Sequence, residues 1–329
     1  MQDGPGPPCK GSPSPVGGVR GAECIYPVIF GMVKINRHTV LGFLAILLWS
    51  TSIALARSIA EEVGPLTAGA AVYLTGGSIL AGNLICRDHA VARLLQLPRL
   101  YLFGCGALFL IYTTALYLGL GLALDRRQAI EIGLVNYLWP TLTIVFSLII
   151  LSKRATVLLI PGTVSALCGI VLVLTQQTEL SWVSFFTNLS SNPAAYGLGL
   201  VAALTWGLYS TLTRLWGSDD GGGVPLFIPV TGVALLLLCL SRGEGGSWSL
   251  PVVVEVGVLG LSTALAYLFW DNAMRRGDMI LVASGSYLTP LLSTVVSCIY
   301  LQVMPGISLW IGCLLIVGGS FLSWYAIEE

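Results

Sequence analysis

Charge is scarce in this sequence. Asp, Glu, Lys and Arg make up 10% of 329 residues, whereas an ordinary soluble domain carries about 25%. That shortage leaves too little polar surface to wet a globule and excludes a soluble enzyme. An excess of either sign is missing too. Sixteen Lys and Arg balance sixteen Asp and Glu, so no basic face is available for a nucleic-acid partner. Histidine is nearly absent, with only His38 and His89, which argues against HExxH metal sites and His-based triads. Neither a G-x-S-x-G string nor a complete P-loop occurs. The eight cysteines form no C-x-x-C pair, and six lie in or at the ends of apolar blocks, where a small hydrophobe fits. No metal, cofactor or disulfide is expected, and the chain does not read as an enzyme.

What the chain has in abundance is apolar sequence. It is 55% hydrophobic, with a mean hydropathy of +0.86, and its apolar residues gather in blocks of about 20, enough to cross a hydrocarbon core of about 30 Å. Ten spans are predicted, at 39–60, 64–86, 100–122, 128–151, 157–175, 194–216, 224–241, 252–273, 278–301 and 305–326. Residues 1–31, rich in Gly, Pro and Ser, read as a disordered tail without a signal-peptide core. Met32, directly before a short basic run, is a candidate start. With the N-terminus inside, eleven basic residues fall in cytoplasmic segments and three, Arg126, Arg127 and Arg242, on the other side. The positive-inside rule then places both termini in the cytoplasm.

The two halves repeat. LGFLAILLWSTSIALAR (41–57) aligns with LGLVAALTWGLYSTLTR (198–214) at seven of seventeen positions, pairing Trp49 with Trp206 and Arg57 with Arg214. Residues 117–151 align with 267–301 at thirteen of thirty-five, pairing Tyr137 with Tyr287 and Pro140 with Pro290. Five spans per half is odd, so the halves are inverted in the bilayer, an architecture of many secondary transporters. The expected fold is an all-α membrane protein whose ten transmembrane helices form two inverted five-helix repeats around a central cavity. Its parts are a first repeat at 32–176, a loop at 177–193 and a second repeat at 194–329.

Three strings carry a family resemblance: RQAIEIGLVNYLWPTLTIVFSLI at 127–149, Trp-Ser-Thr at 49–51 and Gly-Ser-Tyr-Leu-Thr-Pro at 285–290. They resemble the drug/metabolite transporter superfamily of EamA type, over roughly residues 36–326. The resemblance implies a basket of helices around a cavity in a bacterial inner membrane. Its cargo would be aromatic amino acids, with other neutral amino acids as an open extension. Many members end helices 4 and 9 with Glu, whereas this chain has Leu151–Lys153 and Leu301–Val303 there. A role resting on that Glu is not carried over.

Trp and Tyr favour membrane interfaces, yet Trp49, Trp139 and Trp206 sit near the middle of their spans, and so does Tyr112. Tyr137 and Tyr287 lie one turn from Pro140 and Pro290. Packing between helices explains any one of these; the group of midplane tryptophans points to a cavity lining. Ring stacking contributes about 0.5–1.5 kcal/mol per pair and a cation–π contact about 0.5–2 kcal/mol. Such terms suit roughly millimolar binding, about 4 kcal/mol. Asn136 is a candidate partner for a substrate carboxylate, while Ser50, Thr51 and Ser52 read as inter-helix hydrogen bonds. Pro140 and Pro290 are candidate hinges, since each removes a helical donor.

No charge lies at the centre of a span, which disfavours phosphorylated cargo. Of the carboxylates near the path, Glu131 is expected to pair with Arg127, and Asp271 lies four residues before Arg275; both read as structural, so a facilitator without ion coupling is favoured. Arg57 and Arg214 read as snorkelling residues, with a gate at each mouth as the alternative. Glycines in spans 2, 5, 7 and 10 read as packing sites. Asn188-Leu-Ser matches a glycosylation acceptor. A small-molecule substrate and the bilayer are the expected partners, and a monomer suffices. Rival readings are export of other neutral metabolites or drugs, and a non-transporting sensor or scaffold.

Overall fold

The computed structural model describes residues 36–86, 90–175, 182–219, 221–301 and 306–328. The expected tail and start at Met32 lie outside these described residues. Fourteen α-helices account for most of them. They are α1 (Arg37–Val63), α2 (Pro65–Ile85), α3 (Ala90–Leu95), α4 (Gly106–Gly121), α5 (Arg126–Asn136), α6 (Trp139–Ile150) and α7 (Leu159–Thr175). In the second half follow α8 (Trp182–Ser191), α9 (Pro193–Trp216), α10 (Val224–Arg242), α11 (Leu250–Arg276), α12 (Met279–Gly285), α13 (Leu288–Leu301) and α14 (Ile307–Tyr325). A π-helical turn, Leu100–Cys105, leads directly into α4. Arg154–Ala155 (β1) pairs antiparallel with Ile327–Glu328 (β2).

Helix starts follow the local chemistry. Asn36, Asp125 and Asp278 accept from the amides of Thr39, Gln128 and Leu281 at 2.8, 2.8 and 2.9 Å, satisfying donors that have no partner inside the helix. Proline stands in the first turn of α2, α9, α10 and α11, where its missing N–H costs nothing.

Among the described residues seven stretches are long and apolar enough to cross a membrane, and nine are if each bent pair counts as one span. The bent pairs are Arg37–Ser52 with Leu55–Val63, and Met279–Gly285 with Leu288–Val296, each turning by 44°. Apolar α7, at 17 residues, falls just short. The chain is thus a multi-pass helical membrane protein. Two short helices, α3 and α8, lie in connections between the predicted spans, α8 within the stretch expected to be a loop. Both predicted proline sites interrupt a span: α5 stops at Asn136 before Pro140, and α12 stops at Gly285 before Pro290. Pro140 has no N–H for the carbonyl of Asn136, and Pro290 none for that of Ser286. The chain tightens instead, with Leu138 N–H on Val135 and Thr289 N–H on Ser286.

Packing between helices has an internal symmetry. Helix α1 packs on α11 and α13, while its counterpart α9 packs on α4 and α6. Helix α2 pairs with α10, and α7 with α14. Exchanging the two halves leaves this set of pairings unchanged. Glycines set the closest approaches: a Cβ on Gly169 would lie 2.7 Å from the Gly312 carbonyl, and one on Gly76 would lie 2.6 Å from that of Gly260.

Both ends of the described chain lie at one end of the bundle. Asn36 Nδ2 donates to the Arg276 carbonyl at 3.1 Å, and β2 seals against β1. This is the proximal end; the turns at Gly64, Asp125 and Gly243 lie at the distal end.

Candidate functional site

A cavity of about 240 Å³ opens among α1, α2, α4, α9, α11 and the two helix breaks. Six of the seven predicted site residues line it: Trp49, Tyr112, Asn136, Tyr137, Trp139 and Trp206. The seventh, Tyr287, does not. Its ring is fully buried, and its hydroxyl meets Thr141 Oγ1 at 2.8 Å on the α6 side. The repeat pairs Tyr137 with Tyr287 in sequence, but α13 presents Thr289 to the cavity instead. Positions of the lining residues along their helices, from Trp206 and Trp139 at mid-bundle to Ala56 and Leu116, carry the space from the middle toward the distal end.

Trp206, 1% exposed, is the hub of the aromatic wall. Tyr112 lies 4.5 Å from it, Tyr209 stacks at 4.9 Å, and Trp49 meets it edge-on at 5.9 Å. Trp139 stands nearly perpendicular to it at 6.2 Å. Behind them Trp270 closes the layer, 5.1 Å from Trp49 and 5.3 Å from Trp139, and donates to Ser210 Oγ at 3.1 Å. Sequence reasoning missed Trp270, and it missed Tyr73, Tyr117 and Tyr267 in the lining. Tyr73 and Tyr267 join hydroxyls at 2.6 Å. A signal for two of these residues was available, because Tyr117 and Tyr267 are the first matched pair of the 117–151 and 267–301 alignment.

Polar groups around the cavity fall into two kinds. Ser52 Oγ is engaged by the Leu48 carbonyl at 2.6 Å and Ser262 Oγ at 3.0 Å. Ser50 donates to the Ile46 carbonyl and reaches across to that of Thr289 at 3.3 Å, while Thr51 returns its hydroxyl to its own helix on Leu48. By contrast Asn136 Oδ1 and Thr289 Oγ1 are buried without a hydrogen-bond partner. They stand at the two helix breaks, and both residues line the cavity. Buried polar atoms are ordinarily satisfied, so this pair marks where a ligand's polar end would gain bonds. Among the described residues no Asp, Glu, Lys or Arg lines the cavity.

The charged candidates divide. Arg57 pairs with Glu61 at 2.6 Å, both half exposed or more. Arg214, its repeat partner, does not snorkel. Its guanidinium turns inward onto the carbonyls of Met274, Arg275 and Gly277 at 3.3, 2.7 and 2.9 Å, where the C-terminus of α11 offers unpaired acceptors. Glu131 is fully buried and does not pair with Arg127. It accepts from Tyr196 Oη and from Asn188 Nδ2, the latter at 3.1 and 3.3 Å, while Arg127 reaches Ser184. Helix α8, absent from the sequence reading, brings Asn188 and Ser184 to that place. The same bond occupies the amide of the Asn188-Leu-Ser glycosylation match. Asp271 is paired with Arg275 at 2.9 Å. Among the described residues no group of three or more His, Cys, Asp or Glu is placed to hold a metal ion.

Known proteins of this kind exist. The chain is 33% identical over 292 residues to the aromatic amino acid exporter YddG of Escherichia coli strain K12, covering 88% of this chain and 98% of that one. The protein of the same name from Salmonella typhimurium strain 14028s matches at 33% with the same coverage. That of Ancylobacter novellus matches at 31%, covering 86% of this chain and 95% of its own. A solved crystal structure superposes with a TM-score of 0.74 at 29% identity, covering 88% of this chain and 96% of the other. The profile of the EamA-like transporter family matches twice, at residues 37–175 and 193–325. Those two matches fall on the two halves that the packing exchanges, and the chain belongs to the EamA-like transporter family.

Proposed function

We propose that the chain exports aromatic amino acids by alternating access through the cavity at Trp49, Trp139 and Trp206. The observation that carries this is the combination of a wall of aromatic rings with two unpartnered polar atoms at its helix breaks. An indole or phenyl ring gains stacking on the wall, and the amino-acid end meets Asn136 and Thr289. Asn136, with its amide rotated either way, serves an ammonium or a carboxylate. The absence of charge from the lining suits a zwitterion and disfavours a phosphate. At about 240 Å³ the cavity lies just under the roughly 300–1,000 Å³ of pockets for drug-sized ligands, as befits one small metabolite. The relatives named for aromatic amino acid export support the same cargo.

The architecture goes with this reading. Ten spans, counting both broken ones and α7, form two inverted repeats at 32–176 and 194–329 joined by 177–193; the exchangeable helix pairings support it. Among the described residues seven basic residues lie toward the proximal end (Arg37, Arg93, Arg99, Lys153, Arg154, Arg275 and Arg276) and three toward the distal end (Arg126, Arg127 and Arg242), which supports both termini lying in the cytoplasm of a bacterial inner membrane. The cavity then faces outward. Pro140 and Pro290 serve as hinges. Glu131 is structural, and with no carboxylate in the lining the carrier is a facilitator. The site is complete within one chain, so a monomer suffices.

Flux of labelled Trp, Phe, Thr and Ala into liposomes tests the proposal. Wild-type protein is expected to move Trp and Phe in preference to Thr and Ala, and Trp139→Ala to lower Trp flux by about tenfold, the loss of one or two ring contacts. No Trp or Phe flux, or flux indifferent to Trp139→Ala, overturns it.

A further inference from the structure

On the proximal side of the aromatic cavity lies a buried charge cluster with no place in the binding chemistry above. Arg275 Nε donates to Asp271 Oδ2 at 2.9 Å, and their side chains are 6% and 2% exposed. Asp271 Oδ1 accepts from Tyr101 Oη at 2.6 Å and from Tyr209 Oη at 3.2 Å. Tyr101 Oη in turn accepts from Gly223 N–H at 2.8 Å, and Arg275 Nη1 donates to the Ser218 carbonyl at 2.7 Å. The π-helical turn before α4, helices α9 and α11, and both ends of the α9–α10 connection are thereby joined through one carboxylate and one guanidinium. Gly222 lies against this pair so closely that a Cβ would run into Asp271 Oδ2 and come within 2.9 Å of Arg275 Nη2.

Two cavities lie near the cluster. On its distal side stands the aromatic wall, where Trp206 stacks on Tyr209 at 4.9 Å and Trp270 precedes Asp271 in α11. A second space of about 570 Å³, lined by α2, α3, α10 and α11 and running beside α11 at Leu261–Leu268, has Gly221, Gly222 and Leu97 in its wall. Gly222, part of the glycine strap Gly221–Gly223, lies directly against the carboxylate. A buried ion pair stabilises a static fold no better than apolar packing of equal volume, but it is suited to an element with two discrete arrangements, where a satisfied network specifies one of them. The repeat-related positions carry no counterpart. The positions matched to Asp271 and Arg275 in the 150-residue offset are Gly121 and Asp125, and Asp125 is spent on capping α5.

We infer that Asp271 and Arg275, with Tyr101, are the proximal gate latch of the transport path. Closed, the latch holds the glycine strap down and leaves the aromatic cavity continuous with the distal side. Released, it lets Gly221–Gly223 withdraw and joins the 570 Å³ space to the substrate site. The residues act as positioning residues, and the Trp206–Tyr209 stack connects cavity occupancy to them. This inference rests on reading the aromatic cavity as the transport path.

Cys105, fully buried one turn beyond Tyr101, is a native reporter. The full chain in lipid nanodiscs, which expose both faces, is treated without substrate with a water-soluble methanethiosulfonate, and labelling of Cys105 is followed by peptide mass spectrometry. Asp271→Asn is expected to speed labelling by about tenfold and Tyr101→Phe by about threefold, as open states gain population. In liposomes both variants are expected to bind Trp within about twofold of wild type while Trp flux changes by about fivefold or more, a split between binding and turnover that a merely structural role would not produce. Wild-type labelling rates in both variants overturn the latch. Should Asp271→Asn fail to fold, the isosteric Tyr101→Phe decides alone. Because labelling is read without substrate, a wild-type protein that moves no Trp sinks the cargo assignment while leaving the latch to stand or fall by Cys105.

Discussion

Asn136 shows at the scale of one residue how a binding site differs from a core. Its Oδ1 is buried with no partner, so the protein bears a desolvated polar atom that brings the fold no bond in return. Asn136→Leu is therefore expected to leave stability unchanged or raise it by about 1 kcal/mol, while Trp flux falls severalfold. Unfolding in denaturing detergent and liposome flux, measured on the same preparation, check the pair of outcomes. Trp206 is the opposite case, since it belongs to site and core together. Trp206→Ala is expected to cost about 3–5 kcal/mol along with transport, whereas Tyr267→Phe, which keeps the ring and removes the 2.6 Å contact with Tyr73, is expected to cost about 1 kcal/mol.

At the scale of elements, the spans were legible because apolar blocks of bilayer length bounded by charge admit few other readings. The breaks at Asn136 and Gly285 were legible from Pro140 and Pro290, whose missing N–H is a local property. Helix α8 was not, because WVSFFTNLSS is too short and too polar to stand out, and its place is set by Glu131 and Tyr196 across the fold. The midplane tryptophans announced the cavity by their depth. Tyr117 did not, since a tyrosine away from mid-span reads as an interface anchor until its partner is seen, and Tyr73, near mid-span, falls in neither repeat alignment. Asp271 and Arg275 were legible as a structural pair from their four-residue spacing, but only packing of α9 and the α9–α10 connection reveals it as sealed. Two element-level outcomes follow. Gly169→Ala, which sets a methyl 2.7 Å from the Gly312 carbonyl and from Ile316 Cγ1, is expected to cost about 1–3 kcal/mol, readable as earlier unfolding in detergent. Pro140→Ala restores a donor to the broken span and is expected to slow flux severalfold with substrate binding kept.

For the whole molecule, the shortage of charge noted in the sequence becomes a division of labour. Rings and neutral hydroxyls line the distal half of the path, while the charges that are buried close its proximal side or fasten α8 and the end of α11. A lining without carboxylates predicts that a pH gradient across liposomes leaves net Trp flux unchanged; uphill movement driven by such a gradient would refute the facilitator.

The one-sided latch has a consequence for a passive carrier. No such device can make transport one-way, because at equilibrium the ratio of maximal rate to half-saturating concentration must be equal in both directions. What a resting preference for the distal-facing form changes is the concentration scale on each face. Each round of export ends in the favoured distal-facing form and must recover the rarer one before the next, so cargo inside meets a low maximal rate with a correspondingly low half-saturating concentration, whereas uptake resets quickly and takes the high value of both. A protein built this way works as a capped outlet, saturated at low interior concentrations and draining cargo at a steady rate however much accumulates.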